Sequence, residues 1–81
     1  MSVTVRLFAT LRDVTGTGDL TRPLAGPVAV ERVWEDLVAE WPSLAAHRAG
    51  ISCAVNAEYA KFTDTVRAGD EVAFLPPVSG G

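Results

Sequence analysis

One cysteine, one histidine and one methionine in 81 residues leave little material for conventional catalysis. Cys53 alone cannot close an internal disulfide or supply a four-cysteine cluster, which excludes disulfide-stapled miniproteins, zinc ribbons and iron–sulfur carriers. His47 has no second histidine to share a metal with, and its expected place is a solvated helical turn. Basic residues are also few. Seven Lys and Arg against ten Asp and Glu give a net charge of −3, the wrong balance for holding a phosphate backbone, so no nucleic-acid partner is expected. The chain contains no apolar run of about 18 residues, and no basic-then-apolar leader follows Met1. Neither a membrane span nor a signal peptide is expected, and the expected compartment is the cytoplasm. Internal repeats, low-complexity tracts and interdomain linkers are missing too.

What is present is one small domain with 48% hydrophobic residues. A chain of this size buries only roughly 60% of its unfolded surface, so its core must be efficient. Little interior volume is left for an enclosed active site. Val3 to Phe8 alternates, with Val3, Val5 and Leu7 on one face and Thr4, Arg6 and Phe8 on the other, as in a half-buried strand. Gly16 and Gly18 punctuate the polar stretch from Thr15 to Asp19 and are free to adopt positive φ. The following Leu20–Leu24 segment reads as the return strand of a hairpin, at a sheet edge because Pro23 has no N–H to give a central ladder.

From Val30 the period changes. Val30, Val33, Trp34, Leu37, Val38 and Trp41 form the apolar stripe of a helix lying on a sheet, with Glu31, Glu35 and Asp36 suited to its N-terminal half. Pro42 stops it, and Ala29 stands where a capping Ser or Thr is expected. Ser43 is the expected cap of a short second turn over Leu44 to Ala49, closed by Gly50. Period two then returns, with Ile51, Cys53 and Val55 alternating against Ser52, Ala54 and Asn56. A further strand over Glu58 to Phe62 follows a tight turn. After a turn at Ala68-Gly69-Asp70, Glu71 to Leu75 sets Val72 and Phe74 on one face and Ala73 and Leu75 on the other. The order β-β-α-β-β-β predicts an α+β roll of the β-grasp kind, a small mixed sheet covered by one main helix.

Internal side chains offer little chemistry. Cys53 alternates with core positions and reads as a small buried hydrophobe. Glu31, Glu35 and Asp36 read as the wet side of a helix, and Gly16 and Gly18 do not lead into a helix N-terminus that could cradle phosphate. The end of the sequence is different. Pro76 and Pro77 remove two backbone donors and stiffen the exit from the last strand; Val78, Ser79, Gly80 and Gly81 follow, small, narrow and flexible. Six residues beyond Leu75 reach about 20 Å at roughly 3.3–3.6 Å each, enough to enter a partner's active site. At the root of this tail, Phe8 and Leu75 are expected to point away from the helix-covered face. With Pro76 and Pro77 they form a candidate contact patch, and Arg12 lies at its margin.

These segments together resemble the MoaD branch of the MoaD/ThiS sulfur-carrier family. The likeness runs through Val5-Arg6-Leu7-Phe8-Ala9, Arg12, the Val30–Trp41 helix, Ala54-Val55-Asn56 and, most specifically, Asp70 to Gly81. Ser79 stands where Thr is frequent, and Ala29 replaces the usual cap. The resemblance implies a ubiquitin-like β-grasp domain over residues 1–75 and a Gly-Gly tail over 76–81. It also implies a role as a co-substrate subunit of molybdopterin synthase that binds no cofactor itself. An E1-like adenylyltransferase of the MoeB kind would use ATP and Mg²⁺ to adenylate the Gly81 carboxylate. A sulfurtransferase persulfide would convert the adenylate to a thiocarboxylate. Inserted into a large subunit of the MoaE kind, in an expected heterotetramer, the tail would deliver sulfur to cyclic pyranopterin monophosphate. Phe8, Leu75 and the Pro76-Pro77-Val78 segment would dock. Carriers for thiamine-thiazole or cysteine formation share the terminal chemistry, although Phe-Leu-Pro-Pro favours the MoaD branch. A ubiquitin-like interaction module that never receives sulfur is the alternative of a different class.

Overall fold

The computed structural model describes residues 1–77. The expectations for Val78, Ser79, Gly80 and Gly81 lie outside the described residues. Strand β1 (Ser2–Leu7) sends Val3, Val5 and Leu7 into the core, as their alternation requires. It pairs antiparallel with β2 (Asp19–Pro23) and parallel with β7 (Glu71–Leu75). On the other side of β7 runs β4 (Ser52–Val55), which pairs with β5 (Glu58–Ala60). The sheet order β2-β1-β7-β4-β5 puts β2 at an edge, where Pro23 costs no ladder bond. Two short strands absent from the sequence expectation, β3 (Val28–Ala29) and β6 (Thr65–Val66), form a separate antiparallel pair.

Helix α2 (Val30–Glu40) lies on the sheet and buries Val30, Val33, Trp34 and Leu37, four members of the expected stripe. Its start explains why Ala29 suffices there. The Val30 N–H donates to the Asp64 carbonyl and the Glu31 N–H to the Phe62 carbonyl, both at 2.9 Å, so loop backbone takes the place of a capping side chain. The core is completed by Phe74, whose ring centroid lies 5.2 Å from that of Trp34 and 6.0 Å from that of Phe62.

Three local expectations are corrected. The β1–β2 connection contains a seven-residue helix, α1 (Ala9–Thr15), with Leu11 buried and Gly16 closing it at φ 78. Its few apolar positions, Leu11 and Val14, are too few to register as a helical stripe. The turn after α2 is a 3₁₀ segment from Pro42 to Gly50 that starts directly behind Trp41, and Ser43 does not cap it. Gly50 also does not close it in the left-handed conformation: positive φ among the glycines occurs only at Gly16 and Gly69 among the described residues.

The tight turn between β4 and β5 places Asn56 and Ala57 at φ 51 and 70, the geometry of a two-residue hairpin. Asn56 Nδ2 donates to Asp70 Oδ1 at 3.1 Å, and Asn56 Oδ1 accepts from the Glu71 N–H at 3.0 Å, so the hairpin is tied to the entry of β7. The Arg67 backbone N–H, followed by the Asn56 amide, holds the exposed Asp70 carboxyl below its ordinary range. The unfolded chain therefore binds this proton more readily. The resulting stability is fully present above the unfolded value of about 3.9 and is lost as pH falls through the lower folded value. Thermal melts across that acid window should show a shallower loss of Tm for Asp70→Asn than for the unaltered chain. Parallel curves would remove Asp70 as a source of acid sensitivity.

Among the described residues no helix is long and apolar enough to cross a membrane.

Candidate functional site

The sheet face opposite α2 holds the site. Register places Arg6, Ala73, Ala54 and Tyr59 side by side across β1, β7, β4 and β5. Two adjacent methyl groups in the middle of the row make a low floor, and larger side chains rise around it. Phe8, just beyond β1, and Leu75, at the end of β7, line the same groove as Tyr59; its volume is about 290 Å³. Phe8 is 43% exposed and Tyr59 82% exposed, which is unusual for side chains of this size and apolar character. The groove thus joins Phe8 and Leu75 as the alternation requires, and adds Tyr59, Ala54, Ala73, Arg6 and Glu71.

Phe8 is shared with a second depression of about 300 Å³, lined also by Arg6, Arg12, Gly18 and Asp19. The Arg12 side chain lies along Gly18, where an added Cβ would come within 3.4 Å of its Nε. Arg12 makes no side-chain hydrogen bond or ion pair among the described residues and lies at the groove's edge, beside Phe8 and Arg6. Arg6 contacts Glu71 at 3.3 Å with both side chains about half exposed, a pairing worth no more than about 1 kcal/mol and easily exchanged for a partner's charge.

Pro76 is half-buried and Pro77 exposed. Neither lines the groove; the Pro77 ring instead rests against Gly50, on the side of the 3₁₀ segment. Val78, Ser79, Gly80 and Gly81 lie beyond the described residues.

The remaining chemically capable side chains are occupied elsewhere. Cys53 is buried, its Sγ donates to the Ala60 carbonyl at 3.2 Å, and burial foremost, then the Asp64 charge, pushes the thiol pKa up. A thiol held protonated is a poor nucleophile. Glu31 receives two hydrogen bonds from Arg48, at 2.7 and 3.2 Å; these lower the carboxyl and raise the guanidinium. The Arg48 guanidinium also lies 3.6 Å from the Phe62 ring centroid, a clamp between the 3₁₀ segment, α2 and the loop after β5. His47 sits half-buried on the 3₁₀ segment. Chemically, the arrangement offers an apolar docking groove with a cationic margin, at the point where the chain leaves its last strand.

Sequence alternation alone sets Ala54, Ala73 and Arg6 on the outer face. Tyr59 is not legible in that alternation: it reaches the groove through the Ala54↔Tyr59 pairing, which depends on the two-residue turn at Asn56-Ala57.

The profile of the ThiS family matches residues 5–81. The molybdopterin synthase sulfur carrier subunit of Arabidopsis thaliana is 36% identical over 81 residues, covering 100% of this chain and 84% of that protein. The protein of the same name from Escherichia coli is 37% identical over 82 residues, covering 98% and 99%. Among solved structures, the small archaeal modifier protein SAMP1 of Haloferax volcanii superposes with a TM-score of 0.85 at 32% identity over 100% of both chains.

Proposed function

The chain belongs to the ThiS family, and we infer from that membership that it is the sulfur-carrier subunit of a molybdopterin synthase. The observation that carries this reading is likeness over the whole length to subunits of that name, with the Gly80-Gly81 end inside the family match. The ubiquitin-like fold supplies a rigid platform, and the Phe8–Tyr59–Leu75 groove supplies the docking face at the root of the tail.

The proposed chemistry takes place at Gly81. A free α-carboxylate has a pKa of roughly 3.3–3.7 and is an unreactive anion at neutral pH. An E1-like activating enzyme, using ATP and Mg²⁺, would join the carboxylate oxygen to the α-phosphate with loss of pyrophosphate. The terminal sulfur of a sulfurtransferase persulfide would then attack the acyl carbon and expel AMP. A second thiol would cleave the resulting S–S bond, being oxidised to the disulfide as the thiocarboxylate is released. In the large subunit, the thiocarboxylate sulfur would attack a carbon of cyclic pyranopterin monophosphate and displace an oxygen substituent there, and water would then cleave the acyl–sulfur bond, leaving the sulfur on the pterin and returning the carboxylate. Glycines suit this task because no Cβ obstructs a narrow channel or the attacked carbon. Phe8 and Leu75 would make the apolar contacts of docking, Pro76 and Pro77 would stiffen and aim the tail, and Arg12 would meet an acidic group on the partner.

A second reading rests on the likeness to the archaeal modifier protein. There the activated carboxylate would be attacked by an amine of a target protein instead of by a persulfide. Intact-mass measurement separates the two. Incubation with an activating enzyme, ATP, Mg²⁺ and a sulfur donor should replace one oxygen by sulfur in the free chain. Covalent adducts on other proteins with no such gain would favour the modifier. No change under any of these conditions would sink both.

A further inference from the structure

We propose that Gly50 is a positioning residue for the tail, its missing side chain providing the space in which the Pro77 ring rests; this builds on the sulfur-carrier reading. The sequence suggests a helix-closing role for Gly50, but its φ is not left-handed. What it lacks is a Cβ. Built at this position, that atom would lie 3.2 Å from Pro77 Cγ, 3.4 Å from Cδ and 4.0 Å from Cβ, its three nearest heavy atoms outside its own stretch of chain. The first of these falls short of the ordinary carbon–carbon separation of about 3.5–4.0 Å. At Gly16, Gly26 and Gly69 an added Cβ would meet nothing within 4 Å.

The sheet register explains the encounter. Ser52 pairs antiparallel with Leu75, so carrying the same register two residues further sets Gly50 opposite Pro77. Pro77 has no N–H with which to extend the ladder, so its ring meets the bare Cα of Gly50 instead of a backbone partner. Its φ is locked by the ring, so the seat of that ring sets the direction in which the chain continues. Gly50 is exposed, and alanine there would reduce unfolded-chain freedom without backbone strain. Fold stability therefore does not ask for glycine at this position, whereas room for Pro77 does. A displaced Pro77 ring therefore changes the direction in which the chain leaves the sheet, and with it how often the end of the chain meets the reacting atoms.

The test combines Gly50→Ala, Gly50→Leu, Pro77→Ala and the Gly50→Ala/Pro77→Ala double variant. All should melt cooperatively near the unaltered chain and bind the large subunit with unchanged Kd, because the groove is untouched. Sulfur loading by the activating enzyme should show a lower kcat, by roughly 3- to 10-fold for Gly50→Ala and approaching 10²-fold for Gly50→Leu. In the Pro77→Ala background, Gly50→Ala should change nothing further, since the ring it collides with is gone. Loading of both Gly50 variants at the unaltered rate, or an undiminished Gly50→Ala effect without the proline ring, overturns the proposal. An NMR measurement stands apart from sulfur chemistry. Nuclear Overhauser contacts between the Gly50 Hα and Pro77 ring protons are expected, and Gly50→Ala should shift the Val78 amide. Their absence refutes the Gly50 role whether or not the chain accepts sulfur, whereas failure of the unaltered chain to load refutes the sulfur-carrier reading alone.

Discussion

Phe74→Asp is expected to abolish cooperative folding, while its neighbour Leu75→Asp leaves a folded domain that no longer docks. Phe74 is 0% exposed and packs against both Trp34 and Phe62, so its removal takes away the centre of the core. Truncating such a ring costs about 3–5 kcal/mol before any charge is considered. Burying a carboxylate without a partner adds more, because it must be desolvated or bind a proton. A domain of this size holds on the order of 5 kcal/mol in total, so the loss exceeds what is available. Leu75 is only half-buried and faces the groove with Ala73, so an Asp there stays in contact with water. Its expected cost is in binding, where a desolvated charge opposes an apolar partner surface. Circular dichroism melts and a binding titration with the large subunit report both halves. Unfolding of Leu75→Asp together with a native melt for Phe74→Asp would mean that the two sheet faces are assigned the wrong way round.

A single alanine appended after Gly81 should eliminate sulfur delivery. The added residue moves the carboxylate by roughly 3.3–3.6 Å and places a Cβ where glycine presents none. Misplacement of reacting atoms by only about 1 Å can cost on the order of 10²-fold in rate, and here the nucleophilic group itself is relocated. In a cell lacking its own carrier, growth that depends on a molybdoenzyme should be restored by the unaltered chain and not by the extended one. The extended chain should still fold and still bind the large subunit, because its groove and core are intact. Restoration of growth by the extended chain would exclude Gly81 as the carrying group.

Legibility of the site followed the range of the forces involved. The inward face of β1 and the stripe of α2 could be read from spacing alone, because pleat and helical pitch dictate which residues share a side. The same alternation separated Phe74 from Leu75, with opposite consequences for one substitution. Helix α1 is not legible in the sequence because Leu11 and Val14 are too sparse a pattern to show a period, and a seven-residue helix is held by the rest of the fold more than by its own propensity. The strands β3 and β6 are two residues long and exist only because they find each other.

Local pattern by itself therefore determined the class of the domain, the faces of its longer strands, the main helix and the composition of the tail, since each follows from residue spacing or from backbone freedom. Only the tertiary structure decided how Ala29 can start a helix, how Tyr59 enters the groove and why position 50 has no side chain. The amides of α2 are satisfied by carbonyls more than thirty residues away, Tyr59 is placed by a cross-strand pairing, and Gly50 meets Pro77 through a register set by β4 and β7. Such contacts form only by closing long loops, an entropic cost that the packing of the whole fold offsets, and no short stretch of sequence carries the information about which distant segment will arrive.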